Sequence, residues 1–229
     1  MPEAPSEFQA AWARFQATGN PVLVPETLES AWAQGRDRFL AFLVPVDNPA
    51  VLSHIRAITD RLRSIPGVEP YPKEYYHITI KGAGFLVAEP SNSDECSQSG
   101  MEAAAEQAAR SLARQPPFRV DIGLPNGFPE VVFMEVWDGG DVRRLNTALM
   151  EGLPNLVRYP FDGPRFLPHI SIARFTSDEG LAELKAVLAD LRNSAAGPAF
   201  TVTHIDLICA HLSAAAPTFE LLRRYQLSA

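Results

Sequence analysis

Two four-residue strings, His77-Ile78-Thr79-Ile80 and His169-Ile170-Ser171-Ile172, constrain this chain more than any other feature in it. Each reads histidine, apolar, hydroxyl, apolar. Successive side chains of a β-strand point to opposite faces, so His77 and Thr79 share one face while Ile78 and Ile80 share the other. His169 and Ser171 are related in the same way to Ile170 and Ile172. Such a strand lines a pocket with one face and holds a core with the other. Its occurrence once in each half predicts two matching strands that face one cleft.

The segments around these strings set the fold class. Phe8, Trp12 and Phe15 fall at helical spacing, and Gly19-Asn20-Pro21 breaks that pattern. A second short helix is expected over 27–34, and residues 1–37 read as a helical extension packed on a main domain at 38–229. The apolar run 39–46 reads as a buried strand. Asn48-Pro49 opens a helix whose stripe is Val51, Leu52, Ile55, Ile58 and Leu62, ended by Pro66-Gly67. The first histidine strand is expected over 75–80, a polar loop over 90–100 and an Ala-rich helix over 101–114. Strands at 118–122 and 131–137 flank a turn signalled by Pro125, Asn126-Gly127 and Pro129.

The second half follows the same plan. A helix at 141–150 precedes the second histidine strand within 166–175. Ser177-Asp178-Glu179 is placed to cap a helix running to about 191. Strands at 200–210 and 218–226 form a closing hairpin. Strands and helices mix without strict alternation, which gives an α+β class with antiparallel sheets. Both histidine strands are followed by a helix and then two strands, the pattern of a diverged internal duplication.

Composition narrows the partners. The net charge is -7 and the isoelectric point is near 5.3. Non-specific grip on long nucleic acid draws its affinity from phosphate neutralisation by basic groups, so this balance argues against a broad nucleic-acid coat. It leaves room for a small nucleotide, or one RNA end, in a locally positive cleft. Two cysteines, Cys96 and Cys209, make neither a disulfide framework nor a multi-cysteine zinc site. Residues 1–12 lack the basic and apolar regions of a signal peptide, and no run approaches the roughly 18 apolar residues of a membrane span. The expectation is a soluble, cytoplasmic protein with no membrane partner.

The histidines carry the chemistry. Imidazole titrates near pH 6.5 when unperturbed, so it takes or gives a proton at neutral pH. Two imidazoles on opposite sides of a phosphate act as base and acid in one displacement, each transfer contributing about 10² to 10⁴-fold. The hydroxyls of Thr79 and Ser171 can donate to the non-bridging oxygens, where charge concentrates. This scheme needs no metal and no cofactor. Two histidines with a carboxylate could instead hold zinc or iron. Neither string contains Asp or Glu, however, and Glu74, Asp162 and Asp178 fall in expected loops. A third match, His211-Leu212-Ser213, runs into a turn and lacks both the trailing aliphatic residue and the orientation a strand fixes. His54, in a helix, and His204, beside Asp206, read as packing or surface residues.

On these two strings, together with the extended second one (Leu167-Pro168-His169-Ile170-Ser171-Ile172-Ala173-Arg174), the chain resembles the 2H phosphoesterase superfamily. That superfamily includes 2′-5′ RNA ligase-like proteins and RNA 2′,3′-cyclic phosphodiesterases. The resemblance covers about residues 38–226. It implies two pseudo-symmetric lobes of antiparallel sheet around a central cleft, His77 and His169 as an acid-base pair, and Thr79 and Ser171 as phosphate ligands. It further implies action on a 2′,3′-cyclic phosphate or 2′-5′ phosphodiester of RNA ends or small nucleotides. A nucleotide-binding module of the same fold without turnover is the alternative. Position adds substrate-contact candidates. Tyr75 and Lys81 share the His77 face if that strand is regular. Arg174 points away from Ser171 unless a bulge or strand end brings it round. Phe128 and Tyr159, on expected loops, could stack a base.

Overall fold

The computed structural model describes residues 5–23, 32–194, 196–213 and 216–228. The apolar run forms β1 (Arg38–Pro45), the central strand of one sheet. Helix α2 (Pro49–Leu62) follows, opened as its sequence directs. Pro49 fills the first turn, where a missing N–H costs nothing. The Asn48 side chain accepts from Ala50 N and Val51 N at 3.1 and 3.2 Å. The other elements are α1 (Ser6–Ala17), β2 (Val68–Pro70), β3 (His77–Leu86), β4 (Glu95–Cys96), α3 (Gln98–Leu112), β5 (Phe118–Gly127) and β6 (Val131–Trp137). They continue with α4 (Asp141–Gly152), β7 (His169–Phe175), α5 (Leu181–Leu191), β8 (Ala199–Val202), β9 (His204–His211) and β10 (Thr218–Gln226).

The strands form two five-stranded sheets in the orders β10-β9-β1-β3-β4 and β2-β7-β6-β5-β8. Pairing is antiparallel except between β3 and β4. Each histidine strand lies beside its sheet's central strand, β3 on β1 and β7 on β6. The two halves of the chain are interleaved. Strands β5 and β6 follow the first histidine strand yet build the second sheet, while β9 and β10 follow the second and complete the first. One hydrophobic cluster spans both sheets and holds Ile78, Ile80, Ile170 and Ile172. The apolar half of each string is therefore spent on a shared core, which leaves its polar half on the other face. The architecture is α+β with two largely antiparallel sheets and flanking helices, as the sequence pattern requires.

Several boundaries differ from the sequence expectations. Tyr75 sits in a 3-10 turn at Lys73–Tyr75, and the strand starts at His77. Strand β5 continues through the segment read as a turn, with a register shift between Ile122 and Pro125. A proline is tolerated at such an irregularity, where the ladder asks no N–H of it, and the pairing with β8 has already ended at Asp121. The polar loop at 90–100 contains β4 and the start of α3, whose Ser97 Oγ accepts from Gly100 N at 3.2 Å. The segment 200–210 divides at Thr203 into β8 and β9, which belong to different sheets. Helix α5 begins at Leu181 with no side-chain cap, so Ser177-Asp178-Glu179 does not cap it. A Cβ at Gly180 would lie 2.2 Å from the Pro66 carbonyl oxygen, so this stretch is pressed against the corner after α2. Of the helix expected over 27–34, residues 27–31 lie outside the described residues, and 32–34 belong to a turn instead.

Candidate active site

A bulge follows the hydroxyl residue in both histidine strands. On β3, Thr79 pairs with Leu43 and Lys81 with Phe42, so Ile80 is the extra residue. On β7, Ser171 pairs with Phe133 and Ala173 with Val132, so Ile172 is the extra residue. Directly paired residues share a face, and neighbours on one strand do not. The first bulge therefore turns Lys81 away from the face of His77 and Thr79. The second brings Arg174, paired with Val131, onto the face of Ser171 and His169.

The two imidazoles are held alike. His77 Nδ1 lies 2.6 Å from the Tyr75 carbonyl oxygen, and His169 Nδ1 lies 2.8 Å from that of Leu167. A carbonyl only accepts, so each Nδ1 carries the proton and each Nε2 is left with its lone pair. Two aromatic rings flank each imidazole edge-on. Tyr75 and Phe219 stand 5.2 and 5.0 Å from His77, and Phe128 and Phe133 stand 5.1 and 5.3 Å from His169. Burial in this apolar setting penalises the charged ring and lowers both pKa values, that of His77 to about 4. The backbone carbonyls act the other way by favouring the protonated form. A charge on His169 lowers His77 further, a smaller effect than its burial.

The path between the two strings is short. Strand β2 runs beside β7, and Tyr71 N donates to Ile172 O at 2.9 Å. Tyr71 stacks on Tyr75 at 4.1 Å, and Tyr75 in turn meets His77. Strands β3 and β7 also touch directly. His77 and Thr79 open into a cavity of about 190 Å³ lined by Trp32, Phe39, Tyr75 and Phe219 among others. His169 and Ser171 do not line it.

Of the remaining sequence candidates, the structure brings Tyr75 and Phe128 to the imidazoles. Arg174 reaches the site face and is held by Glu69, with its Nη2 2.6 Å from Oε2. Lys81 is a correction: it is fully buried, paired with Asp162 at 2.9 Å and bonded to the carbonyls of Gly82 and Val157. Tyr159 covers that lysine with its ring 4.8 Å away and packs on Phe39, one residue back from the cavity. Phe219, Phe133 and Trp32 carried no sequence signal beyond being aromatic. Long-range strand pairing brings Phe133 and Phe219 to the site, and the turn ahead of β1 brings Trp32.

Helix α1 covers part of the second lobe's site face. Phe8 and Ala11 pack on Phe133, and Asn126 Nδ2 donates to Phe8 O at 3.0 Å. Gly127 permits this approach, since a Cβ there would lie 2.4 Å from the Phe15 ring. Glu135, paired with His169, is wholly committed elsewhere. It accepts from Asn126, Trp137 and Arg192 at 2.8, 3.0 and 2.6 Å.

A family model described as the 2′-5′ RNA ligase superfamily matches residues 46–212. No curated protein matches the chain. Among solved structures, TT0787 of Thermus thermophilus superposes with a TM-score of 0.63 at 19% identity, covering 82% of this chain and 97% of that one. Escherichia coli LigT complexed with 3′-AMP gives 0.60 at 18%, covering 84% and 99%. A conserved protein of unknown function from Agrobacterium tumefaciens, ATU0111, gives 0.55 at 15%, covering 81% and 85%. At these identities the structural likeness speaks to the fold alone. Among the described residues, no helix is long and apolar enough to cross a membrane.

Proposed function

The chain belongs to the 2′-5′ RNA ligase superfamily of 2H phosphoesterases, and from that premise we propose that it is a metal-independent phosphodiesterase of nucleotides. Its substrate is a 2′,3′-cyclic phosphate or a 2′-5′ phosphodiester, carried by a small nucleotide or an RNA end. The observation that carries this reading is the matched state of the two imidazoles, each with Nδ1 committed to a carbonyl and Nε2 left to act.

One imidazole accepts the proton of the attacking water as the new P–O bond forms. The other gives its proton to the ribose oxygen as the old P–O bond breaks. Thr79 and Ser171 donate to the non-bridging oxygens. An anionic phosphate between the rings favours a charged imidazole and opposes the effect of burial, so substrate binding itself prepares the acid. The cavity of about 190 Å³ at His77 and the helix laid over Phe133 favour a short substrate over a long strand. Escherichia coli LigT, of the same fold, has been crystallised with 3′-AMP, ATP and phosphate, which supports nucleotides as ligands here.

The test is a panel of nucleoside 2′,3′-cyclic phosphates and 2′-5′ dinucleotides assayed with and without EDTA. Hydrolysis that survives the chelator and is lost in His77→Ala and in His169→Ala supports the proposal. Unchanged rates in both single variants overturn it. Tight binding without turnover across the panel would leave the non-catalytic module instead.

A further inference from the structure

Strand β9 has a second face. Ala210 and Leu212 line the His77 cavity, so alternation turns Cys209 and His211 to the opposite side of the sheet. Glu220 of β10 pairs with Cys209 and faces the same way. One thiol, one imidazole and one carboxylate thus converge behind the site, their donor atoms all within 4.8 Å of one another. His211 Nε2 lies 3.2 Å from Glu220 Oε2. Tetrahedral zinc, with bonds of about 2.0 Å to N and O and about 2.3 Å to S, sets its ligand atoms roughly 3.3–3.8 Å apart. The donor atoms would have to close by about 1 Å at most to reach that spacing.

The surroundings complete the pattern. Asp37 Oδ2 lies 3.7 Å from His211 Nδ1, and its other oxygen is buried without a hydrogen-bond partner among the described residues. A carboxylate behind the remote nitrogen fixes a ligating histidine's ring and tautomer. The Cys209 side chain is fully buried, with the carboxylates of Glu220 and Asp37 grouped around this end of the sheet. A cation between the thiol and the two carboxylates reverses their repulsion. Thiolate plus imidazole selects a zinc-class cation over magnesium or calcium.

We propose that Cys209 Sγ, His211 Nε2 and the Glu220 carboxylate bind one zinc-class divalent cation, with Asp37 orienting the histidine. Binding exchanges the Cys209 thiol proton for a metal–sulfur bond, and water fills the fourth position. The thiolate and carboxylate charges neutralise the ion. The site staples β9 to β10 next to the strand ends, from which Leu212, Pro217 and Phe219 reach the His77 cavity. It takes no part in the two-histidine chemistry, so it stands or falls independently of that reading.

The experiment is a titration of the metal-free, full-length protein with Co²⁺, followed by the near-ultraviolet thiolate-to-cobalt charge-transfer band. One equivalent is expected to saturate the band. Cys209→Ser should abolish it, and Cys96→Ser should leave it intact. His211→Ala and Glu220→Gln should weaken binding by at least about tenfold, and Asp37→Asn by about tenfold or more. His211 and Glu220 are partly exposed, so their variants keep the test alive if Cys209→Ser misfolds by circular dichroism. No band in the wild type, or wild-type titration in His211→Ala and Glu220→Gln, overturns the proposal.

Discussion

Replacing His77 by glutamine removes a group whose proton affinity the fold suppresses, and stability toward acid should report the change. Burial among Tyr75, Phe219 and the sheet lowers the His77 pKa from 6.5 to about 4. That difference corresponds to about 3 kcal/mol of preference for the neutral ring. Because the folded pKa lies below the unfolded one, the unfolded chain binds the extra proton between these pH values. Stability is therefore fully present above pH 6.5 and falls as the pH drops toward 4. The glutamine variant lacks this response. Urea unfolding of both proteins at pH 7, 5.5 and 4 measures it as a difference, which cancels the titration of shared carboxylates. The wild type should lose about 3 kcal/mol relative to the variant between pH 7 and pH 4. Parallel stability curves across that range would refute the claim that the fold holds His77 neutral.

Other consequences are open to separate measurement. In His169→Gln the His77 ring should titrate at higher pH, followed by the imidazole proton resonance, because the His169 charge lowers its pKa; an unmoved midpoint would place the rings out of reach of each other. Lys81→Met should cost about 3–5 kcal/mol by leaving the buried Asp162 charge without its cation, although Asn146 and Tyr159 N still donate to it, while Lys81→Met with Asp162→Asn should recover part of that loss. Gly127→Ala should cost about 1–3 kcal/mol in thermal or urea unfolding, since the new Cβ meets the Phe15 ring of α1.

The two strings made much of the candidate site legible. Alternation along them assigned His77, Thr79, His169 and Ser171 to the pocket side and four isoleucines to the core, and the structure has the isoleucines in one cluster. Alternation failed one residue later. A bulge inserts a residue that periodicity does not see, and it removed Lys81 from the site face while delivering Arg174 to it. The side chains do not signal these bulges, because Ile80 and Ile172 look like ordinary strand residues. Pro125 misled the reading for a related reason: it marks a register shift within β5, where the pattern of nearby prolines, asparagine and glycine read as a turn. The run through Thr203 is uniformly strand-like, so nothing local says that its two parts serve different sheets. Phe133 and Phe219 are ordinary strand aromatics until long-range pairing sets them beside the imidazoles. Helix α1 was legible from Phe8 and Phe15, but its seat on Phe133 depends on Gly127, far along the chain.

The most direct test of the central claim compares single and double histidine variants under single-turnover conditions with a nucleoside 2′,3′-cyclic phosphate in EDTA. If both imidazoles serve one phosphorus, His77→Ala and His169→Ala each lose about 10² to 10⁴-fold, and the double variant is little slower than the worse single. Full retention of rate in either single variant, or losses that simply multiply in the double, would contradict a shared site.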